Sequence, residues 1–357
     1  MNTAPFIRTK DSVWSVMSDV LLALTPVVAI SYLAYGGVTF SVVLIAVIGA
    51  VVAEFLFSWI FLKKKDTLKD GSALVTAVLL AMTLAPFTAW YVVLFGSAMA
   101  VIFGKLLWGG LGRNILNPAL VGREFMTIFF PAVMTSGSIW YNKDYVNVRS
   151  FDFFGIWSDS AFASYLDSLI YKSSGAIGEY SVLLLTLGGI YLLLRRRISW
   201  HIPFALLVTF FVLLQIFSCK NISFSVGGVL LGTIFMATDM PSSASSKTGK
   251  LYYGAMIGLV AILCLLFGIK HEYMSYSILL VNCFVRPVNR VFAPRVWGTK
   301  TDFLKKTGWV LLLTAIIIAV TFAVIYMHDN DLVKYIVFGY ILFIIARFTI
   351  FTMKEIN

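Results

Sequence analysis

The chain has 357 residues, 60% of them hydrophobic and only 13% charged, with a formal net charge of +11. Soluble globular proteins average about 45–50% apolar and about 25% charged residues, so this composition excludes a water-soluble enzyme and points to a polytopic membrane protein. Cys219, Cys264 and Cys283 form no CxxC pair, which argues against iron–sulfur ligation, structural zinc and a disulfide scaffold. Met1 to Asp11 lacks a small-residue cleavage site after a short apolar core, so no removed signal peptide is expected.

Apolar runs able to cross a ~30 Å hydrocarbon core predict twelve spans, at roughly 13–35, 39–62, 71–86, 89–108, 117–135, 179–195, 200–218, 224–241, 250–270, 272–292, 307–327 and 331–351. The connections are short except for a polar, aromatic loop at 136–178. Lys and Arg crowd into alternate loops: Lys63 to Lys65 and Lys69, Lys105 and Arg113, Arg195 to Arg197, Lys247 and Lys250, and Arg286 to Lys306. The positive-inside rule then puts both termini in the cytoplasm and loop 136–178 outside.

Spans 71–86 and 224–241 are short, since sixteen helical residues cover only about 24 Å. Both end in T-x-x-P, as Thr83-Leu84-Ala85-Pro86 and Thr238-Asp239-Met240-Pro241. They are the third and eighth spans, so the copies run in opposite directions. Short, Pro-ended helices at matching places in two halves point to an inverted repeat with a site at its interface.

Ionisable groups at membrane depth are costly and mark candidate sites. Here they are Asp19, Glu54, the adjacent Arg123 and Glu124, Asp239 and Arg286, with Asn282 beside the last, and most fall in the cytoplasmic half. Four of these have a bland alternative: Asp239 capping a helix end, Arg123 and Glu124 pairing locally, Asp19 snorkelling. The stretch Gly112-Arg113-Asn114-Ile115-Leu116-Asn117-Pro118-Ala119 opens span 5. It sets two carboxamides and Arg113 at a helix start whose first N–H groups lack partners, a place suited to a polar ring or an anion. No GxGxxG, P-loop or HExxH occurs, and His201, His271 and His328 are scattered at span ends, so no haem or metal site is expected.

In order and spacing, several stretches resemble a known family, that of RnfD from the Rnf complex and NqrB from the sodium-pumping NADH:quinone reductase. They are TLKDGSALVTAVLLAMTLAP (67–86), GGLGRNILNPALVGR (109–123), FPAVMTSG (130–137), GAIGEYS (175–181), ISWHIP (198–203), Gly227 to Lys250 with its FMATDMPSSASSKTGK, and PRVWG (294–298). The resemblance implies an all-α integral membrane fold over residues 12–298, with ten helices in two inverted five-helix repeats like those of urea and ammonium channels. It also implies a place in a multi-subunit, redox-driven ion pump of a bacterial or archaeal cytoplasmic membrane. Family members carry a riboflavin held non-covalently, associated with the Asn pair that carries over to Asn114 and Asn117, with Arg113 beside them. They also carry an FMN linked through phosphate to a Thr. Family acids tied to ion uptake or quinone reaction carry over to Glu54 and Asp239.

The chain departs from that pattern twice. No threonine occurs from Ser136 to Leu185, so covalent, Thr-linked FMN is expected to be absent and a non-covalent flavin (riboflavin or FMN) retained. Residues 299–357 add two transmembrane helices beyond the family's usual end. The expected function is a membrane subunit of an Rnf- or Nqr-like ion-translocating electron transport complex, passing electrons through bound flavin. Partner subunits would supply the nicotinamide and iron–sulfur ends. An inverted-repeat transporter or channel, or a scaffold that has lost the flavin role, stays open as the alternative.

Overall fold

A computed structural model describes residues 11–63, 67–140, 175–217, 224–294 and 303–356. Most of loop 136–178, the PRVWG motif after Pro294, and Cys219 lie outside these residues. The described residues are helical and contain no strand. The helices are α1 (Val13–Tyr35), α2 (Gly37–Phe57), α3 (Ser72–Met82), α4 (Trp90–Gly104), α5 (Pro118–Phe129), α6 (Val182–Leu194), α7 (His201–Ile216), α8 (Val226–Leu231, continued by a π-helical turn Gly232–Met236), α9 (Lys247–Leu266), α10 (Tyr273–Cys283), α11 (Phe303–Asp329) and α12 (Val333–Ile356). Six are long and apolar enough to cross a membrane, and α3, α6, α7 and α8 are shorter apolar helices. The protein is an all-α, multi-pass membrane protein.

Side-chain chemistry marks the ends of these helices. Ser12, Asn117, Ser181, Ser225 and Ser246 each cap an N-terminus through a side-chain oxygen, satisfying donors that have no intrahelical partner. Gly36, at φ +68°, joins α1 directly to α2 in a conformation that favours glycine. Two predicted spans break. Span 117–135 stops at Phe129, before Pro131 opens a short turn. Span 272–292 stops at Cys283 and restarts as Val285–Val291, because Pro287 has no N–H to bond the Cys283 carbonyl.

Packing repeats between the halves. The most extensive contacts are α2 with α4 in the first half and α7 with α9 in the second. In both, glycine lets backbones approach. A methyl at Gly49 would come within 2.9 Å of the Leu94 carbonyl, and one at Gly254 within 2.6 Å of the Ile202 carbonyl. The pairs α1–α3, α4–α5 and α3–α5 recur as α6–α8, α9–α10 and α8–α10. Between the halves, first packs on first (α1–α6) and fifth on fifth (α5–α10), as a two-fold relation between the repeats requires. Outward-facing Phe40, Leu44, Ile48, Val52 and Phe55 form an exposed apolar stripe on α2 that suits hydrocarbon.

Asp19 does not snorkel. It is buried at the α1–α6 contact, accepting from Tyr191 Oη at 2.9 Å, Arg195 at 3.3 Å and Arg197 Nε at 2.6 Å. The hydrogen bonds of Arg197 to Asp11 and Asp19 push that guanidinium above its ordinary pKa. Helix α12 docks on the loop after α4. Tyr340 Oη donates to the Phe103 carbonyl at 2.7 Å and accepts from Trp108 Nε1 at 2.9 Å, while Arg347 lies 4.5 Å from the centre of the Trp108 ring.

Candidate functional site

The loop after α4 turns on Gly109, Gly110 and Gly112, all with φ between +86° and +108°, and delivers Asn114 and Asn117 to the interface of the halves. Asn117 is the N-cap of α5: its Oδ1 accepts from the N–H groups of Ala119 (3.0 Å) and Leu120 (3.4 Å), and Pro118 supplies the first helical residue. Its Nδ2 donates to the Met236 carbonyl at 3.1 Å, where the π-helical turn ends α8. A π turn leaves its carbonyls short of the usual partners, a feature frequent at functional sites. Asn282 of α10, with its amide oriented to satisfy its neighbours, accepts from the Asn117 N–H at 3.2 Å and donates to the Ser242 carbonyl at 3.0 Å.

Asp239 stands just past the break, accepting from Ser242 Oγ at 2.7 Å and from Asn114 Nδ2 at 3.4 Å. Asn114 also donates to the Leu116 carbonyl at 3.2 Å, yet its Oδ1 is buried with no hydrogen-bond partner. These groups open onto a cavity of about 260 Å³ between α1, α3, α5, α6 and α8. Asn114, Asn117, Thr238 and Asp239 share its wall with Lys105, Arg197 and apolar side chains such as Met17, Val75 and Phe235. The cavity approaches the size of small ligand pockets and has their make-up, an apolar wall with a few convergent polar groups. Its polar set offers an unsatisfied carboxamide acceptor, a carboxylate and cationic donors.

Glu54 lies in this neighbourhood without lining the cavity. It is fully buried on α2, and Lys105 Nζ donates to its two carboxylate oxygens at 2.7 and 2.9 Å. Lys105 also reaches Ser72 Oγ at the start of α3 and stands 3.8 Å from Asp70. Arg113 is exposed and packs its stem over Gly109 rather than along the cavity. Sequence reading singled out the Asn114–Asn117 pair and Asp239 separately, and the fold brings them to one place; it missed Lys105, which it counted among the loop cations. A lone Lys inside the run Phe103-Gly104-Lys105-Leu106-Leu107 was the available signal.

Arg123 and Glu124 do not pair with each other. Arg123 binds Glu272 at the start of α10 and donates to the Thr83 carbonyl at the broken end of α3. This mirrors Asn117 on the broken end of α8, so two polar residues of α5 and its cap close off the two breaks. Among the described residues no group of three or more His, Cys, Asp or Glu is arranged to hold a metal ion.

Comparison with known proteins identifies the family. Residues 1–298 match the NQR2, RnfD, RnfE family. The chain is 35% identical over 302 residues (84% of this chain, 95% of the relative) to the D component of the Na(+)-translocating ferredoxin:NAD(+) oxidoreductase complex of Acetobacterium woodii. It is 32% identical, over 84% of its length and 96% of the relative, to the D component of the proton-translocating ferredoxin:NAD(+) oxidoreductase complex of Clostridium ljungdahlii. A similar match, 32% identical over 84% of this chain and 97% of the relative, is to the D component of the ion-translocating oxidoreductase complex of Alcanivorax borkumensis. Helices α11 and α12 lie beyond the family match.

Proposed function

This chain belongs to the NQR2, RnfD, RnfE family, and from that membership and the cavity we propose that it is the membrane subunit of an Rnf-like ion-translocating oxidoreductase. In this reading it holds a non-covalent flavin, riboflavin or FMN, between α5 and α8 and passes electrons to and from partner subunits. The observation that carries the flavin assignment is Asn114 Oδ1, a buried acceptor without a partner on a residue that lines a mostly apolar cavity. Leaving such an atom unpaired costs about 1–3 kcal/mol, and the N–H on the edge of an isoalloxazine ring supplies the missing donor.

The residues present fit that group. Asn114 would hold the ring edge, Asn117 keeps the helix start and the α8 break in register, and Met17, Val75 and Phe235 exclude water. Lys105 contributes positive charge, held in place by Glu54. A bound flavin supplies one- or two-electron chemistry, and the protein sets its position and electrostatics. Asp239 accepts from Asn114 Nδ2 and Ser242 Oγ, which fixes the orientation of the Asn114 carboxamide. Arg113, at the mouth of the Gly-rich loop, serves the cytoplasmic approach.

The same reading sets the protein in the cytoplasmic membrane of a bacterium or archaeon, with both termini in the cytoplasm. Partner subunits supply the nicotinamide and iron–sulfur ends, for which this sequence has no motif. Residues 12–298 form the functional membrane domain, and 299–357 form an addition that braces the loop carrying Lys105 and Trp108. The missing threonine in 136–185 favours a second reading, a transporter or scaffold on the same fold without redox function. The visible absorbance spectrum of the purified chain, followed by acid precipitation, separates the two. A flavin spectrum whose chromophore stays in the acid supernatant supports the first reading, and a colourless protein reconstituting no flavin overturns it.

A further inference from the structure

Two turns into α5, away from the cavity, Arg123 and Glu124 are both buried, at 8% and 7% exposed. Arg123 is fully engaged. Its Nε and Nη2 donate to the two oxygens of Glu272 at 2.8 and 3.1 Å, Nη1 donates to the Thr83 carbonyl, and Nη2 also reaches the His271 carbonyl at 3.4 Å. One guanidinium is thus matched by one carboxylate. Glu124 has no such match: both of its carboxyl oxygens are buried and neither makes a hydrogen bond.

The groups that face Glu124 are Glu272 and Ser275 from the start of α10 and Arg123 on its own helix. Tyr276 lies in the same field, and Glu179, before α6, adds another carboxyl near Arg123. The cluster therefore has three carboxyl groups around a single guanidinium. An ionised, unpaired carboxylate at this depth is among the most expensive arrangements a membrane protein can adopt. A positive ion must accompany it, and the geometry selects which. A sodium ion needs several converging oxygens, but Arg123 already occupies both oxygens of Glu272, leaving one carboxyl and the Ser275 hydroxyl. A proton needs only one oxygen.

We propose that Glu124 is a proton-binding site inside the membrane. Its two carboxyl oxygens are buried without a hydrogen-bond partner, and the neighbouring guanidinium is already matched by Glu272. Loading and unloading protonate and deprotonate one carboxyl, and nothing is oxidised or reduced. The site is separate from the cavity and stands whether or not flavin binds there.

Infrared spectroscopy of the purified full-length protein tests the assignment. At neutral pH the wild type should show a deuterium-sensitive carboxylic C=O band that Glu124→Gln removes and Glu124→Asp keeps at a shifted position. A full band surviving in Glu124→Gln overturns the site, and so does its disappearance from wild type on adding sodium ions, which would make the occupant Na⁺. If Glu124→Gln does not fold, an unshifted band in Glu124→Asp has the same force.

Discussion

The Asn117 amide donates to the Met236 carbonyl at 3.1 Å, joining the capped start of one half's fifth helix to the broken end of the other half's third. Arg123 on the Thr83 carbonyl is the counterpart contact at the other break. The two breaks are thus closed by different chemistry, a neutral carboxamide beside the cavity and a charged guanidinium in the Glu124 cluster. Asp239 has Leu84 as its repeat equivalent, buried and apolar, so the repeat architecture by itself does not call for a carboxylate at that position.

Asn117→Ala removes both the cap and the tie to α8. The cap accounts for about 1 kcal/mol and the Met236 bond for about another. Asn117→Asp keeps the cap acceptor and loses only the donor. Thermal unfolding in detergent should rank wild type above Asp and Asp above Ala. Equal midpoints for the two variants would show that the cap contributes nothing.

Asn114→Leu should separate binding from stability. Its Oδ1 is unpartnered and its contact with Asp239 is long, so the folded state loses little. Flavin content of the purified variant should fall at least several-fold while its unfolding midpoint stays near wild type, and full flavin retention would remove Asn114 from the site. The double change of Asn114 and Asn117 to Leu should abolish the yellow colour.

Lys105→Met leaves Glu54 buried without its cation. Breaking such a pair costs about 3–5 kcal/mol, whereas replacing both partners by apolar groups is often neutral. Lys105→Met should therefore express poorly or melt early, and Glu54→Leu with Lys105→Met should recover most of the loss. A double variant no better than the single one would show that Lys105 acts through Ser72 and Asp70 instead.

Asp239→Asn nearly preserves shape and can still accept from Ser242. Folding and flavin content should be intact, while turnover of the assembled complex falls at least several-fold. Normal turnover would make the carboxylate a bystander, and loss of expression would make it a structural cap.

Covalent FMN should be absent. After co-expression with a flavin transferase, a denaturing gel under ultraviolet light should show no fluorescent band for this chain. Fluorescence mapping to residues 136–178 would point to a serine linkage in place of threonine.

Hydropathy and the cost of exposing backbone to lipid act locally along the chain, so the twelve apolar segments, the paired T-x-x-P breaks and the capped start at Asn117-Pro118 could all be read from the sequence. The halves of the site that belong to one motif were legible for the same reason. Tertiary structure decided which polar group answers which. Lys105 meets Glu54 from 51 positions away, and Arg123 passes over its neighbour Glu124 to bind Glu272, 149 positions away. It also decided that span 5 ends at Phe129, that Tyr340 pins Trp108, and that Glu124 is left without a hydrogen-bond partner. A buried charge takes whichever counter-group the folded helices bring within about 3 Å, and that choice is made across helices far apart in sequence, where neither periodicity nor spacing carries information.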